Sequence, residues 1–334
     1  MQIDSIEDST RYVVSTLHHG SILPGRRMEM IRHVYLLSGA DVRGGVWGGS
    51  ITVSGAPIVV GDAVYCKGAL RIEAADVQEA PDGEITFGSS VAAADSIVTE
   101  SKHARLRFRS DIYTGQINIT NAFVYGNIYA KRAIIRDSII LGGVFCGGPV
   151  RIERSMVSTL EAGDLYIGPE TWLFMPLAVG RNSIQLDAPV RVVTFYSMLQ
   201  DAAGQRKGDV VLLDAGDVHT LKSQERGQPS GKEGEAQAFK CLSLSDRILD
   251  TFEVKEHFDF NRRLIEKLAL GRNLDPDSSS QVRHTERELE AGLLEFLHSS
   301  GTQASERAST SIKDLFERVN DKKGIAPHRL ILSH

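Results

Sequence analysis

From Ile31 onward the apolar residues fall in short runs rich in Val, Ile, Leu and Phe, alternating with polar positions and broken by Gly, Asn, Asp or Ser. Alternation of this kind over a few residues is the mark of a half-buried strand. The runs recur at a fixed interval. Ile128, Val144 and Leu160 lie sixteen residues apart, as do Ile134, Val150 and Tyr166, and as do Val124, Ile140, Met156 and Trp172. At longer range, residues 64–73 and 144–153 repeat almost residue for residue at a separation of eighty, or five times sixteen. A unit of two or three short strands cannot bury its own apolar side and must stack on copies of itself. The pattern therefore predicts a mainly β chain, a parallel β-solenoid over residues 31–185. At about sixteen residues per coil and about 4.8 Å between stacked strands, that is about nine coils and a rod on the order of 45 Å long.

The flanks read differently. Residues 1–30 lack the interval and read as a lead-in or cap over the first coil, whose unpaired backbone groups would otherwise template association. Residues 74–104 are the least regular, with a turn at Ala80-Pro81-Asp82-Gly83, so one coil there is expected to carry a loop. Pro176 and Pro189 mark the end of the repeat, and residues 186–222 read as a β extension that caps the last coil. Residues 223–238 read as a flexible linker, because Ser223 to Gln237 holds no large apolar residue.

Beyond that linker the period becomes helical, predicting a C-terminal α-helical domain over 239–334. Asp259 precedes Phe260, Leu264, Ile265 and Leu268, and Gly271 closes the run, an N-cap carboxylate and a C-terminal glycine in the expected places. Thr285-Glu286-Arg287-Glu288 is a capping-box pattern ahead of Leu289, Leu293, Leu294 and Leu297. The apolar stripes need a cover, so these helices bundle, pack on the solenoid or bind a protein partner.

Composition narrows the picture. The 31 glycines are concentrated between Gly39 and Gly180, where solenoid corners are expected to need positive φ. Cys66, Cys146 and Cys241 form neither a disulfide framework nor a metal motif; the first two, equivalent in the long repeat, are expected in the core or at corners. A formal charge of −5 makes nucleic acid an unlikely general partner. No window of eighteen apolar residues predicts a transmembrane segment, and the acidic start, without a basic stretch and apolar run, does not read as a secretory signal. With three free thiols, this predicts a cytoplasmic protein.

For chemistry, Arg105, Arg107 and Arg109 should share an outward face while Leu106 and Phe108 turn inward, with Lys102, His103, Arg132 and Arg136 within about two coils. Such a basic face would bind phosphate, an anionic polymer or an acidic partner, or else pair with carboxylates on a neighbouring coil. Arg71-Ile72-Glu73 and Arg151-Ile152-Glu153 should each bury the Ile and expose the charges. Metal-ligand spacings, HExxH, a GxSxG elbow and a glycine-rich phosphate loop are absent from the sequence, so no catalytic residue, cofactor or metal is expected.

Coils of Val/Ile runs and Gly corners, as in residues 44–55 and 142–152, resemble those of the bactofilins, bacterial polymer-forming cytoskeletal proteins. The resemblance covers residues 31–185. It implies a right-handed β-helix whose ends stack into homo-oligomers or filaments, a noncatalytic structural scaffold without nucleotide. The first alternative is a capped-solenoid adaptor that binds a protein partner through its C-terminal helices. The second is a β-helix acyltransferase, which requires a six-residue rhythm that Ile128 and Ile134 keep and Ile140 and Val144 break.

Overall fold

In the computed structural model, residues 5–7, 11–23, 32–73, 83–99, 105–173, 177–193, 210–222 and 238–243 are described. They divide between two compact units, Met1–Ser155 and Met156–His334. Each contains parallel β-solenoid coils, so the mainly β solenoid holds. Residues 223–237 of the expected linker and 244–334 of the expected helical domain lie outside the described residues.

The first unit winds through three sheets. One runs from Arg11–Val14 through His33–Leu37, Ser50–Ser54 and Ala69–Glu73 to Pro149–Glu153, each strand parallel to the next coil's copy. The second passes through Asp41–Val42, Ile58–Val60, Glu84–Phe87, Arg105–Phe108 and Ala122–Val124. The third passes through Val46–Gly48 and Val64–Cys66, then Val91, Ile112, Ile128 and Val144 in turn. Side chains alternate in and out, and the inward set fills the interior with Val, Ile, Leu and Phe. Phe87 and Phe108, both fully buried, stack across adjacent coils with ring centroids 5.0 Å apart.

Register refines the sequence reading. The repeats at Val64 and Val144 stand four coils apart, not five, because the step from Val64 to Val91 and that from Val91 to Ile112 are both longer than sixteen. Their extra residues include the irregular stretch, of which 74–82 and 100–104 lie outside the described residues. Ile134 pairs with Arg151 rather than Val150, since the turn at Gly147 and Gly148 adds a residue to that coil. Ile135, not Ile134, is the fully buried member. The solenoid also begins earlier than Ile31: Arg11–Val14 already pairs in parallel with His33–Leu37, and Ser5–Glu7 lies antiparallel on it.

One corner departs from the glycine expectation. Asn121, Asp137 and Arg154 occupy equivalent corner positions with φ of 56°, 48° and 46°. Non-glycine residues rarely adopt this region, although Asn and Asp tolerate it best. A buried hydroxyl supports the corner. The Ala122 N–H donates to Ser138 Oγ at 3.1 Å, and the Ser138 N–H donates to Ser155 Oγ at 3.1 Å. Ser138 and Ser155 in turn donate to the Arg136 and Glu153 carbonyls. Elsewhere glycine is needed for space: a Cβ on Gly142 would run into the Gly126 backbone on the previous coil.

The second unit is built from the same kind of parallel coils. Met156–Ile167 pairs in parallel with Leu177–Leu186, and Trp172–Leu173 with Val190–Val193. Trp172 is fully buried, with the Arg191 guanidinium 4.9 Å from its ring centroid. The parallel pairing then stops. Val210–Leu213 lies antiparallel on Val190–Val193, and Ala238–Ser243 lies antiparallel on residues 177–180 and is flanked by Val218–Lys222. Val190–Val193, Val210–Leu213 and Val218–Lys222 fall in the span read as a β extension, and Ala238–Ser243 is a strand where the linker was expected to end and the helical domain to begin.

Candidate functional site

Of the residues singled out for a basic face, the structure brings few together. Leu106 and Phe108 are fully buried and Arg105 is exposed, as the alternation requires. Arg107, however, is engaged: its guanidinium meets Glu84 of the preceding coil at 3.2 Å, with only 13% of its side chain accessible. Thr86 donates to the same carboxylate at 2.7 Å. Arg109 is half-buried and also has interactions of its own. Arg132 and Arg136 belong to the first sheet, whereas Arg105–Phe108 belongs to the second, so the wider cluster does not assemble. Lys102 and His103 lie outside the described residues.

The first sheet carries its own charge network at the end of the first unit. Arg136 Nε donates to Glu153 at 2.6 Å, Arg151 lies 3.4 Å from the same carboxylate, and Arg154 pairs with Asp137 at 2.7 Å. Burial pushes the Glu153 carboxyl up, but the Arg136 hydrogen bond and the charges of Arg136, Arg151 and Arg154 outweigh it and hold the pKa below the ordinary carboxylate value. This network ties coils together through groups with mutual partners, the work expected of a solvated face.

The third sheet shows a surface that the sequence reasoning missed. Each inward aliphatic residue there is followed by an outward one, and these are Trp47, Tyr65, Ala92, Tyr113, Tyr129 and Phe145, in register from coil to coil. Tyr113 and Tyr129 stack with centroids 5.1 Å apart and planes 9° apart, and Tyr129 and Phe145 with centroids 5.4 Å apart and planes 18° apart. Tyr65, Tyr113 and Tyr129 are 48%, 45% and 38% exposed. The signal was present: Ile112-Tyr113, Ile128-Tyr129 and Val144-Phe145 recur at sixteen. Carboxylates border the ladder. The Tyr113 hydroxyl donates to Asp111 Oδ2 at 3.2 Å, while Asp111 Oδ1 accepts from the Asn127 N–H at 2.7 Å. Desolvation, reinforced by the Asp111 charge, raises the pKa of both Tyr113 and Tyr129.

The cysteines are poor nucleophiles. All three are buried, and desolvation raises the Cys66 thiol, lifts Cys241 to about 11 and Cys146 to about 12. Among the described residues, no group of three or more His, Cys, Asp or Glu side chains could hold a metal ion. Among them too, no helix is long and apolar enough to cross a membrane. No protein-family model, curated protein or solved structure matches this chain.

Proposed function

We propose that this chain is a noncatalytic structural scaffold, a set of rigid solenoid coils that present repeated side-chain ladders to other molecules. The observation that supports it most is the third sheet of the first unit, where successive coils display Tyr113, Tyr129 and Phe145 in register over a closed aliphatic interior. A protein builds such regularity when the surface itself is the product, since each coil contributes one rung at the same position. The coil steps also favour this reading over the β-helix acyltransferase. Steps of sixteen and seventeen residues, as from Ile112 to Ile128 and from Ala133 to Val150, are not multiples of six.

Within the scaffold class, the bactofilin resemblance suggests self-assembly through stacked coil ends. A specific observation favours the capped adaptor as well. The last parallel strands of the second unit are covered by antiparallel strands at 210–213 and 238–243, and the first coil of the first unit carries Ser5–Glu7. Short covering strands of this kind are how β proteins keep sheet edges from pairing with other chains. Light scattering and negative-stain electron microscopy on the full-length protein separate the two. Filaments that lengthen with concentration support end-stacking, whereas monomers at micromolar concentration leave the adaptor reading and refute the polymer.

A further inference from the structure

The aromatic ladder of the third sheet has one interrupted rung. Ala92 pairs with Tyr65 on one side and with Tyr113 on the other, so two exposed tyrosines stand on the coils either side of one that offers only a methyl group. Tyr113 has one ring face stacked on Tyr129, and its other face is directed at the Ala92 coil. At about 4.8 Å per coil, the Tyr65 and Tyr113 rungs stand about 10 Å apart. A group centred between them lies about 5 Å from each, inside the roughly 6 Å reach of a cation–π contact.

Charge and size select the occupant. Asp62 and Asp111 precede the Tyr65 and Tyr113 strands, and Asp95 follows Ala92; its Oδ2 reaches to 3.5 Å from where a Cβ on Gly68 would stand. Against these three carboxylates stand Lys67 on the Tyr65 coil and Arg109, two residues before Asp111. A planar guanidinium lying flat between the rings reaches each at about 5 Å, as Arg191 does over Trp172 at 4.9 Å, but its carbon stays short of the roughly 3.5–4.0 Å of packed contact on either side. A quaternary ammonium carries methyl carbons about 1.5 Å out from its nitrogen, which brings them to contact distance on both sides. We infer that the Ala92 gap between Tyr65 and Tyr113 is a binding site for a quaternary ammonium group.

The probe is choline chloride, titrated into the full-length protein and followed by calorimetry, with 3,3-dimethyl-1-butanol as its uncharged isostere. Saturable choline binding with no comparable response to the isostere is expected. Ala92→Tyr fills the gap with a third ring and should abolish saturable choline binding. Tyr113→Leu keeps an apolar wall, removes one π face and should weaken choline about two- to fivefold, the size of one exposed cation–π contact, which covers the case in which Ala92→Tyr fails to fold. Unchanged affinity in a folded variant, equal binding of the isostere, or no saturable binding overturns the inference. Vesicles of phosphatidylcholine tell the source apart. Sedimentation with them that free choline reverses identifies a lipid headgroup, and choline binding without sedimentation identifies a soluble quaternary amine.

Discussion

Ile152 and Arg151 are neighbours in sequence and opposites in the structure, which makes them a sharp pair for testing coil register. Ile152 is fully buried and pairs with Ile135, whereas the Arg151 side chain is 49% accessible. Replacing Ile152 with Asp removes an aliphatic side chain from a packed interior, worth about 2–5 kcal/mol by analogy with core truncations. It also places a carboxyl where no cation faces it. Such a group protonates, and holding an acid with a solution pKa of about 3.9 neutral at pH 7 costs about 4 kcal/mol at 1.36 kcal/mol per unit. Together the two effects exceed about 6 kcal/mol, which is comparable with the whole stability of many domains. Arg151→Asp loses a long exposed ion pair with Glu153 and adds a like charge, a loss of about 1 kcal/mol or less. Urea unfolding followed by far-UV circular dichroism, with limited proteolysis in parallel, reads both variants. We expect Ile152→Asp to be unfolded or cleaved in native buffer and Arg151→Asp to behave nearly as wild type. Equal stability of the two would refute the inward placement of Ile152 and the register built on it.

Other consequences can be measured separately. Ser138→Ala leaves the buried Ala122 N–H without its acceptor, while the Arg136 carbonyl keeps the Asn121 N–H, and should cost about 1–3 kcal/mol in urea titrations. Because the folded pKa of Glu153 lies below its unfolded value, its contribution to stability is present above about pH 4.3 and is lost as pH falls through the folded pKa. Glu153→Gln should therefore flatten the acid limb of the stability profile, and an unaltered limb would contradict the Arg136–Glu153 pairing. In an absorbance titration of the phenols, Tyr113→Phe and Tyr129→Phe should each remove a transition above about pH 10. Cys66, Cys146 and Cys241 should react with an aromatic disulfide reagent only as the protein unfolds, and rapid native labelling would contradict their burial.

How far the fold could be read from the sequence depended on where the coil length held. Between Ile112 and Cys146 the interval of sixteen maps directly onto stacked neighbours, and Leu106, Phe108 and Ile152 point inward as alternation requires. The interval failed where residues were inserted. Glu84 meets Arg107 from a coil whose spacing is irregular, so the partner that occupies Arg107 could not be located by counting. One extra residue at Gly147 and Gly148 sets the inward Val150 beside Ala133 and not beside the outward Ile134, so the sixteen-residue count paired positions on opposite faces, because a shift of one reverses every side chain on a strand. The positive-φ corner was hidden for another reason. Asp137-Ser138 and Arg154-Ser155 carry its strain through hydroxyl hydrogen bonds, not through glycine. The aromatic ladder was legible in spacing but not in meaning, since only the stacked structure shows that Ala92 interrupts it.

Every outward surface described for this protein depends on the parallel, in-register stacking of its coils, and one oxidation experiment tests that stacking directly. Asn118 and Ile134 are paired, half-buried outward positions on adjacent coils, about 4.8 Å apart and within the range a disulfide spans, whereas Ala133 beside them faces the core. The measurement is air oxidation of Asn118→Cys/Ile134→Cys and of Asn118→Cys/Ala133→Cys, read by mass and by free-thiol count with circular dichroism as the check on folding. Ready disulfide formation in the first pair with a native spectrum, and little in the second, is the result the stacked register requires. Oxidation of the second pair in preference to the first would contradict it.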